Sequence, residues 1–390
     1  MTRRMTCSVA VAAHNVERFI PEAIQSLLDQ TCPPDQIVVV DDGSTDGTAA
    51  AVSRFGPKLQ LIRQDRLGLP AARNRAVEAC GGALVAFLDG EDVAEPQRLA
   101  RQIEALQADR QAAMVFSAVR FIDETSQDVS KTAHCYQYDR KGFFGMLLVR
   151  NRIVSSSAAM LRRKALDEVG GFDQSLPHNA EYDLWLRIAR RHPVAYLDEP
   201  LTRRRIRFGK EEAGLMAQRR EEVLALQKHS HEAIREALEA AYDTRQDVEM
   251  AFARVLFRME RFDEAAHTLN SLQDEECQNP ALHFYLGNIL IVQGEIERAE
   301  EQFRQAVMLD PTFAAAHNNL GVMVAAAQKQ EEARQSFEIA CGLRLNYSHP
   351  AINLQILREG GSHRDMRITF DRMRETLRPE FGAAPVDFEA

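Results

Sequence analysis

Acidic residues close two of the apolar runs in the first hundred residues. The stretch VAFLDGEDVAEP places Asp89, Glu91 and Asp92 around a single glycine, and VVVDDGSTDGT ends a second run at Asp41 and Asp42. Carboxylate oxygens in such clusters are the ligands that hard cations such as Mg²⁺ or Mn²⁺ prefer. Acidic turns without any ligand would use the same residue types.

Basic residues that could hold an anion lie in two other segments. GLPAARNRA places Arg73 near the predicted start of a helix, where the helix dipole disfavours a cation unless an anion is bound nearby. LTRRRIRFGK is predicted to be extended, so Arg203, Arg205 and Arg207 would share one face. A guanidinium group pairs with phosphate through two hydrogen bonds, although solvated surface arginines remain the alternative in both segments.

The elements that must position these residues alternate along residues 5–120. Short β-rich apolar runs, beginning with CSVAVAA, are each followed by a longer helical segment. This alternation predicts an α/β fold whose parallel sheet is covered by helices on both faces. Ligands of such sheets bind beyond the carboxyl ends of the strands, where the sequence places His14, Asn15, Asp41, Asp42, Asp65, Asp89, Glu91 and Asp92.

The second half of the chain repeats itself every 34 residues. Several positions at this offset agree in residue type at once: Leu286 with Leu320, Gly287 with Gly321, Ala299 with Ala333, Phe303 with Phe337 and Ala306 with Ala340. The period and the small residues resemble the tetratricopeptide repeat (TPR), which implies an all-α solenoid of three repeats over residues 245–346. Residues 211–244 are predicted to form a helical connector, and residues 347–390 capping helices with a flexible tail.

Composition excludes several classes of protein. The 390 residues are 45% hydrophobic and 27% charged, and no run approaches the ~18 apolar residues of a membrane span. The net charge of −9 argues against a nucleic-acid partner, and residues 246–346 carry −8 of it, with 16 Asp and Glu against 8 Lys and Arg. Six cysteines without paired spacing indicate reduced thiols and a cytoplasmic protein, with peripheral association with the inner membrane left open.

Four motifs over residues 5–207 resemble, in order, those of the family 2 glycosyltransferases. They are VVVDDGSTDGT, GLPAARNRA, FLDGEDVAEP and GGFDQSLPHNAEYDLWLRIARR. The resemblance implies a GT-A fold over residues 1–210 and the inverting transfer of a sugar from a nucleoside diphosphate sugar to an acceptor hydroxyl. It favours a hexosyltransferase with a UDP-sugar donor. The signatures of P-loop and dinucleotide-binding folds do not follow the first strand.

The resemblance also implies roles at the donor site. His14, followed by Asn15, stands where the family usually has a tyrosine that stacks on the base. Asp42, with Asp41 beside it, would accept a hydrogen bond from the edge of the base. Arg73 would lie near the nucleotide.

The same resemblance implies a site for a divalent cation, Mn²⁺ or Mg²⁺. Asp89 would lie near the ribose and contribute to the metal site with Glu91 and Asp92. Glu91 stands where the family has an aspartate and reaches one methylene further. Arg207 replaces a histidine that often reaches the metal or diphosphate, and it would supply part of the positive charge.

The proposed general base lies in EYDLW, where Glu181 stands at the position of the family's catalytic aspartate. Glu181 and Asp183 are both catalytic candidates. Two residues along a helix are about 200° apart, so both carboxylates cannot face one cleft, and Glu181 is the preferred base.

Two functions stay open from the sequence. One is an active transferase whose repeats bind a partner protein or the acceptor, which would be a protein, a polysaccharide or a lipid-linked glycan. The other is a catalytically impaired scaffold that acts as a TPR interaction module, because His14, Glu91 and Glu181 depart from the family pattern. Aspartate-to-glutamate changes keep the charge and the oxygen ligands, which favours the enzyme.

Overall fold

The computed structural model describes residues 5–135, 138–206, 215–274, 278–344 and 347–370. The chain forms two compact units that divide between Ala241 and Tyr242. Within these described ranges, no helix is both long enough and apolar enough to cross a membrane.

The first unit alternates strands and helices in its amino-terminal part, as the sequence predicts. Its elements are β1 (Cys7–Ala13), α1 (Ile20–Leu28), β2 (Gln36–Asp42), α2 (Thr48–Ser53), β3 (Gln60–Gln64), α3 (Leu69–Ala79), β4 (Leu84–Asp89), β5 (Val93–Ala94), α4 (Arg98–Ala108), β6 (Met114–Ile122), β7 (Asp128–Ala133), α5 (Phe143–Val149), β8 (Ala159–Arg162), α6 (Arg163–Val169), α7 (Ala180–Arg191), β9 (Val194–Arg205), α8 (Leu215–Gln227) and α9 (His231–Ala241).

One mixed sheet organises this unit. Its strand order is β3-β2-β1-β4-β8-β6-β9-β5, with β7 beside β6. The strands β1 to β4 are parallel, as predicted, while β8 runs antiparallel to both β4 and β6. Ala13 pairs with Asp41 and Ala12 pairs with Asp89, so the carboxyl ends of β1, β2 and β4 meet at one edge.

Local sequence explains why these elements form. Every residue of β1 is buried, as expected of a strand covered on both faces. In α1 the buried residues Ile20, Ala23, Ile24 and Leu27 have helical spacing and join the core beneath the sheet.

The helices α8 and α9 belong to the first unit and lie within residues 211–244, which the sequence predicts to be a helical connector. Helix α5 packs closely on α9, because Gly142 and Gly145 leave room for it. A Cβ atom at Gly145 would lie 2.2 Å from the Ala237 carbonyl oxygen. Two glycines thus let two helix backbones approach where a larger residue would collide.

The second unit is built of helices. They are α10 (Arg245–Arg258), α11 (Phe262–Asp274), α12 (Pro280–Val292), α13 (Ile296–Leu309), α14 (Ala314–Ala326), α15 (Gln330–Leu343) and α16 (Ser348–Arg358), followed by a 3₁₀ turn at His363–Asp365. A Cβ atom at Gly287 would lie 2.7 Å from the Phe303 ring, and one at Gly321 would lie 2.5 Å from the Phe337 ring. The 34-residue period therefore reflects a repeated contact, in which a phenylalanine of one helix packs against a glycine of the helix before it.

Replacing Gly321 by alanine is expected to lower the free energy of unfolding of the second unit by about 1–3 kcal/mol, because the added methyl group overpacks the contact with Phe337. Chemical denaturation followed by circular dichroism measures the change. Gly342→Ala on α15 is the matched control, since nothing lies within 4 Å of an added Cβ there. Its effect is expected to be neutral, or stabilising by up to about 1 kcal/mol. Equal losses in both variants would contradict the packing account.

Candidate active site at the carboxyl edge of the sheet

The ends of β1 and β2 hold a histidine in a fixed orientation. His14 Nδ1 lies 2.8 Å from the Asp42 carbonyl oxygen, and His14 Nε2 lies 3.2 Å from Asn15 Nδ2. In this arrangement Nδ1–H donates to the Asp42 carbonyl oxygen, and Nε2 accepts from Asn15 Nδ2. Asn15 Oδ1 accepts a hydrogen bond from the Thr45 N–H at 2.9 Å. The imidazole is therefore held firmly at the edge where the two strands end.

The two acids that end β2 have different partners. Both oxygens of the buried Asp42 carboxylate are occupied, by hydrogen bonds from Gln64 Nε2 (2.8 Å), Arg66 Nη1 (2.6 Å), the Leu67 N–H (2.9 Å) and the Gly68 N–H (2.9 Å). Burial disfavours its charge, yet these donors hold the pKa of Asp42 below its usual range. Asp42 thus fastens the loop that precedes α3.

Asp41 retains an oxygen that could accept a ligand. Its Oδ1 accepts a hydrogen bond from the Ser44 N–H at 3.1 Å. Its Oδ2 accepts none within the part of the chain that the structure describes, and the Arg63 Nε atom lies 3.5 Å away. Of the two predicted base acceptors, the geometry therefore favours Asp41 over Asp42.

Arg73 joins two of the predicted site carboxylates. Its Nη2 atom lies 2.7 Å from Asp89 Oδ1 and its Nη1 atom lies 2.5 Å from Glu181 Oε1. The guanidinium is 2% exposed and stacks over the Phe172 ring at 5.4 Å. Burial opposes its charge, but the attraction of Asp89 and Glu181 raises the pKa of Arg73 above its usual value. Residues from three separate motifs thus meet in one ion-paired group.

Glu181 is oriented from both of its oxygens. While Oε1 pairs with Arg73, Oε2 accepts a hydrogen bond from the Ser156 N–H at 3.2 Å. The Glu181 side chain keeps 28% of its surface exposed, so a substrate can reach it. The neighbouring Asn74 binds the Phe172 backbone through a pair of 2.8 Å hydrogen bonds, which fixes the GGFD loop against α3.

Asp183 belongs to a different group. Its carboxylate is buried, with Oδ2 2.8 Å from Arg187 Nη2 and Oδ1 2.7 Å from Lys228 Nζ. Among the described residues it shares no partner with Glu181, in line with the helical spacing that separates the two residues. The structure therefore gives Asp183 a role in joining α7 to the end of α8, and we do not retain it as a catalytic candidate.

The third predicted metal ligand, Asp92, points into the protein. Its Oδ2 accepts a hydrogen bond from Ser157 Oγ at 2.6 Å, and its Oδ1 accepts one from the Arg205 N–H at 2.9 Å. Burial and the neighbouring Asp89 carboxylate raise the pKa of Asp92 well above its usual range. Sequence reasoning missed the serines of VSSSA, although three consecutive hydroxyl residues between apolar segments are a visible signal.

The prediction of a metal site made of Asp89, Glu91 and Asp92 therefore needs correction. Among the residues with described positions, no group of three or more His, Cys, Asp or Glu side chains is arranged to hold a metal ion. Asp89 is 26% exposed and pairs with Arg73, Glu91 is half-buried, and Asp92 is buried at 2% exposure. Asp92 is therefore withdrawn from the predicted set of ligands, because protein donors occupy its carboxylate.

The arginines of β9 mostly serve the fold. Arg205 donates to Glu22 Oε2 at 2.7 Å and to the Glu91 carbonyl at 2.9 Å, and it is buried. Arg203 pairs with Glu95 at 3.5 Å. Arg207, predicted to face the diphosphate, lies outside the described residues.

A buried histidine gives the first unit a predictable pH dependence. Burial, reinforced by the charge of Arg190, lowers the pKa of His229 to about 4; Asp183 and Lys228 also lie nearby. An unfolded histidine titrates near 6.5, so the unfolded chain binds the proton first and stability falls as pH drops from about 6.5 towards 4. Between pH 7.5 and pH 5, wild type is expected to lose about 2 kcal/mol relative to His229→Gln. Urea unfolding at pH 7.5 and pH 5 measures the difference, and parallel losses in both proteins would contradict it.

Comparisons with known proteins agree with this fold. Residues 8–170 match the family model "Glycosyl transferase family 2", and residues 250–312 and 286–344 match a tetratricopeptide repeat model. The chain is 25% identical to chondroitin synthase of Escherichia coli over 49% of this chain and 28% of that protein. It is 28% identical to an uncharacterized glycosyltransferase of Methanocaldococcus jannaschii over 51% of this chain and 70% of that protein.

One further relative and one solved structure are also similar to this chain. An uncharacterized protein of Mycobacterium tuberculosis is 30% identical over 55% of this chain and 71% of its own length. The crystal structure of S. aureus TarS 1-349 in complex with UDP-GlcNAc aligns with a TM-score of 0.50 at 16% identity, covering 92% of this chain and 93% of that one. That alignment supports the GT-A fold alone. The amino-terminal domain of this chain therefore belongs to glycosyl transferase family 2, and its carboxyl-terminal domain consists of tetratricopeptide repeats.

Proposed function

We propose that this chain transfers a hexosyl group, with inversion, from a nucleoside diphosphate sugar to an acceptor hydroxyl. The observation that carries the proposal is the ion-paired group of Arg73, Asp89 and Glu181 at the carboxyl edge of the sheet. It joins a buried cation, an acid at a strand end and a partly exposed carboxylate. These are the parts needed to hold a diphosphate and to take a proton.

Glu181 is the proposed general base. It would take the proton of the acceptor hydroxyl while the acceptor oxygen bonds to the anomeric carbon from one face. The bond to the diphosphate breaks on the opposite face, and the nucleoside diphosphate leaves with that electron pair. The hydrogen bond from Ser156 and the ion pair with Arg73 hold the carboxylate in one orientation before substrate arrives, which limits the cost of positioning it.

The nucleotide would lie across the ends of β1 and β2. The fixed His14 ring offers a flat surface for the base, and Asp41 Oδ2 offers an acceptor for an N–H group at the base edge. Arg63 is largely exposed and can move away from that oxygen. Uracil carries such an N–H group, and the TarS complex contains UDP-GlcNAc, so a UDP-sugar is the proposed donor.

A divalent cation, Mn²⁺ or Mg²⁺, is proposed as the cofactor. Mg²⁺ is usually bound by one or two carboxylates together with substrate phosphates, and Asp89 and Glu91 would supply the carboxylates here. When bound, the ion would neutralise charge on the departing diphosphate. Because two carboxylates alone hold such ions weakly, the metal would bind together with the donor.

The stereochemistry of donor hydrolysis tests the proposal. The chain is incubated with UDP-sugars and GDP-sugars, and the anomer released first is followed by proton NMR. Release of the anomer opposite to that of the donor supports an inverting transferase. Release of the retained anomer, or no turnover of any donor with Mn²⁺ or Mg²⁺ present, would contradict it.

The acceptor is proposed to be a hydroxyl on a protein, a polysaccharide or a lipid-linked glycan. The repeats would bind that acceptor or a partner protein through their groove. A cytoplasmic location and peripheral contact with the inner membrane complete the proposal.

A further inference from the structure

Four asparagines in the second unit are buried, and sequence reasoning overlooked them. Asn288 lies on α12, Asn318 and Asn319 on α14, and Asn353 on α16, and all four are 0% exposed. A buried amide group requires hydrogen-bond partners. Their partners include the backbone of residues 366–370, a segment that follows the last helix of the repeats.

Two of these asparagines bind the segment in the same way. Asn353 Oδ1 accepts from the Arg367 N–H at 2.6 Å, and its Nδ2 donates to the Arg367 carbonyl at 2.8 Å. Asn319 Oδ1 accepts from the Thr369 N–H at 2.9 Å, and its Nδ2 donates to the Thr369 carbonyl at 2.8 Å. Each asparagine thus satisfies both backbone groups of one residue.

The spacing on both sides of this contact is regular. Asn319 and Asn353 are 34 residues apart (353 − 319), so they occupy the same position in successive repeats. Arg367 and Thr369 are two residues apart, which is the period of an extended chain. Asparagines one repeat apart therefore bind residues two positions apart in the extended segment. Their hydrogen bonds go to the main chain of the segment and do not depend on its side chains.

One side chain of the segment is recognised specifically. The Thr369 hydroxyl contacts the Tyr347 hydroxyl, lies 2.8 Å from His349 Nδ1 and lies 3.5 Å from Asn318 Nδ2. Thr369 is 3% exposed, whereas the Arg367 side chain is exposed. The site combines sequence-independent main-chain contacts with one position that suits a hydroxyl residue.

We propose that this row of asparagines is the binding site for an extended segment of a partner protein that carries serine or threonine at the Thr369 position. Residues 366–370 of the chain itself occupy the site in cis, and a partner must displace them. Any extended polypeptide presents the same paired N–H and C=O groups, so the contacts that hold the chain's own segment are transferable. All of these residues lie in the second unit, so the inference stands apart from the transferase proposal.

Peptide binding to the full-length chain tests this inference. The probe is a fluorescein-labelled peptide with the sequence of residues 362–370, and its fluorescence anisotropy is measured with increasing protein. Thr369→Pro removes both the N–H and the hydroxyl of the resident segment and leaves the asparagines untouched. We expect this variant to bind the probe at least about tenfold more tightly than wild type, since a competing ligand in cis is lost. Arg367→Ala is the matched control, because it keeps the backbone contacts, and it is expected to bind like wild type.

Altered peptides distinguish the main-chain contacts of the asparagines from the recognition of the threonine hydroxyl. A peptide N-methylated at the positions of Arg367 and Thr369 is expected to lose binding to the Thr369→Pro protein, because it cannot donate to Asn353 or Asn319. Replacing the peptide threonine by valine is expected to weaken binding by about tenfold, and serine is expected to keep most of it. Equal binding of the probe to wild type and Thr369→Pro, or undiminished binding of the N-methylated peptide, would overturn the inference.

Discussion

Replacing Glu181 by glutamine is expected to lower kcat by roughly 10²–10⁴-fold, which is the usual contribution of a positioned general base. Glutamine keeps the size of the side chain and can still accept a hydrogen bond from the Ser156 N–H, but it cannot take up a proton. Donor affinity is expected to change little, because the buried Arg73 retains its ion pair with Asp89. A coupled assay of nucleoside diphosphate release measures both quantities.

Glu78→Gln is the matched control for this substitution. Glu78 is exposed and pairs only loosely with Arg75, at 3.8 Å, on the surface of α3. Its variant is expected to keep wild-type kcat. An unchanged kcat in Glu181→Gln would show that Glu181 is not the general base. A large rise in donor KM with normal kcat would show that it binds the donor instead.

Replacing Arg73 by methionine is expected to have the largest effect on the first unit. The substitution leaves the carboxylates of Asp89 and Glu181 without their shared cation, and breaking a buried ion pair costs about 3–5 kcal/mol. Urea unfolding followed by the fluorescence of Trp185, the single tryptophan of the sequence and a buried residue of this unit, measures the loss. Nucleoside diphosphate binding is expected to weaken by at least about tenfold, because Asp89 and Glu181 would then present uncompensated negative charge to the diphosphate.

Arg75→Met provides the comparison on the same helix. Arg75 is 59% exposed, and an exposed ion pair contributes about 0–1 kcal/mol, so this variant is expected to unfold nearly like wild type and to bind nucleotide normally. Similar losses of unfolding free energy and of nucleotide binding in the two variants would contradict a specific role for the ion pairs of Arg73.

The sequence was sufficient to predict the sheet edge and several residues on it. In parallel strands the polar residues that end each run must meet at one edge, so His14, Asp41 and Asp89 could be placed together from the pattern alone. The repeats could also be predicted from the sequence, because a glycine and a phenylalanine recur at an offset of 34 residues in two of the hairpins. The strand pairing confirms the shared edge of β1, β2 and β4. The family models confirm the transferase match over residues 8–170 and the repeats within residues 250–344.

Other features depended on contacts between residues far apart in the chain. Asp89 and Asp92 are three positions apart in one loop, yet Asp92 turns inward because the serines Ser155 and Ser157 and the backbone of Arg205 lie there. The choice between Asp41 and Asp42 likewise depends on a loop that follows β3.

The role of the buried asparagines could not be predicted from the sequence either. Asparagine in a helix is unremarkable in sequence, and nothing local distinguishes Asn319 from a surface residue. Its role becomes visible only when Thr369, fifty positions later, donates to its side chain. The 34-residue spacing of Asn319 and Asn353 is visible in the sequence, but it does not show that the backbone of Arg367 and Thr369 is their partner.

Calorimetric titration of nucleoside diphosphates into the full-length chain tests whether the carboxyl edge of the sheet binds a nucleotide. UDP, GDP and ADP are each titrated in the presence of Mn²⁺, of Mg²⁺ and of a chelator, with wild type and Arg73→Met side by side. We expect one-to-one binding of at least one of them, UDP foremost, that strengthens with metal and weakens in Arg73→Met. Absence of binding heat for every nucleotide under every condition, in a wild-type protein that is folded by circular dichroism, would contradict it.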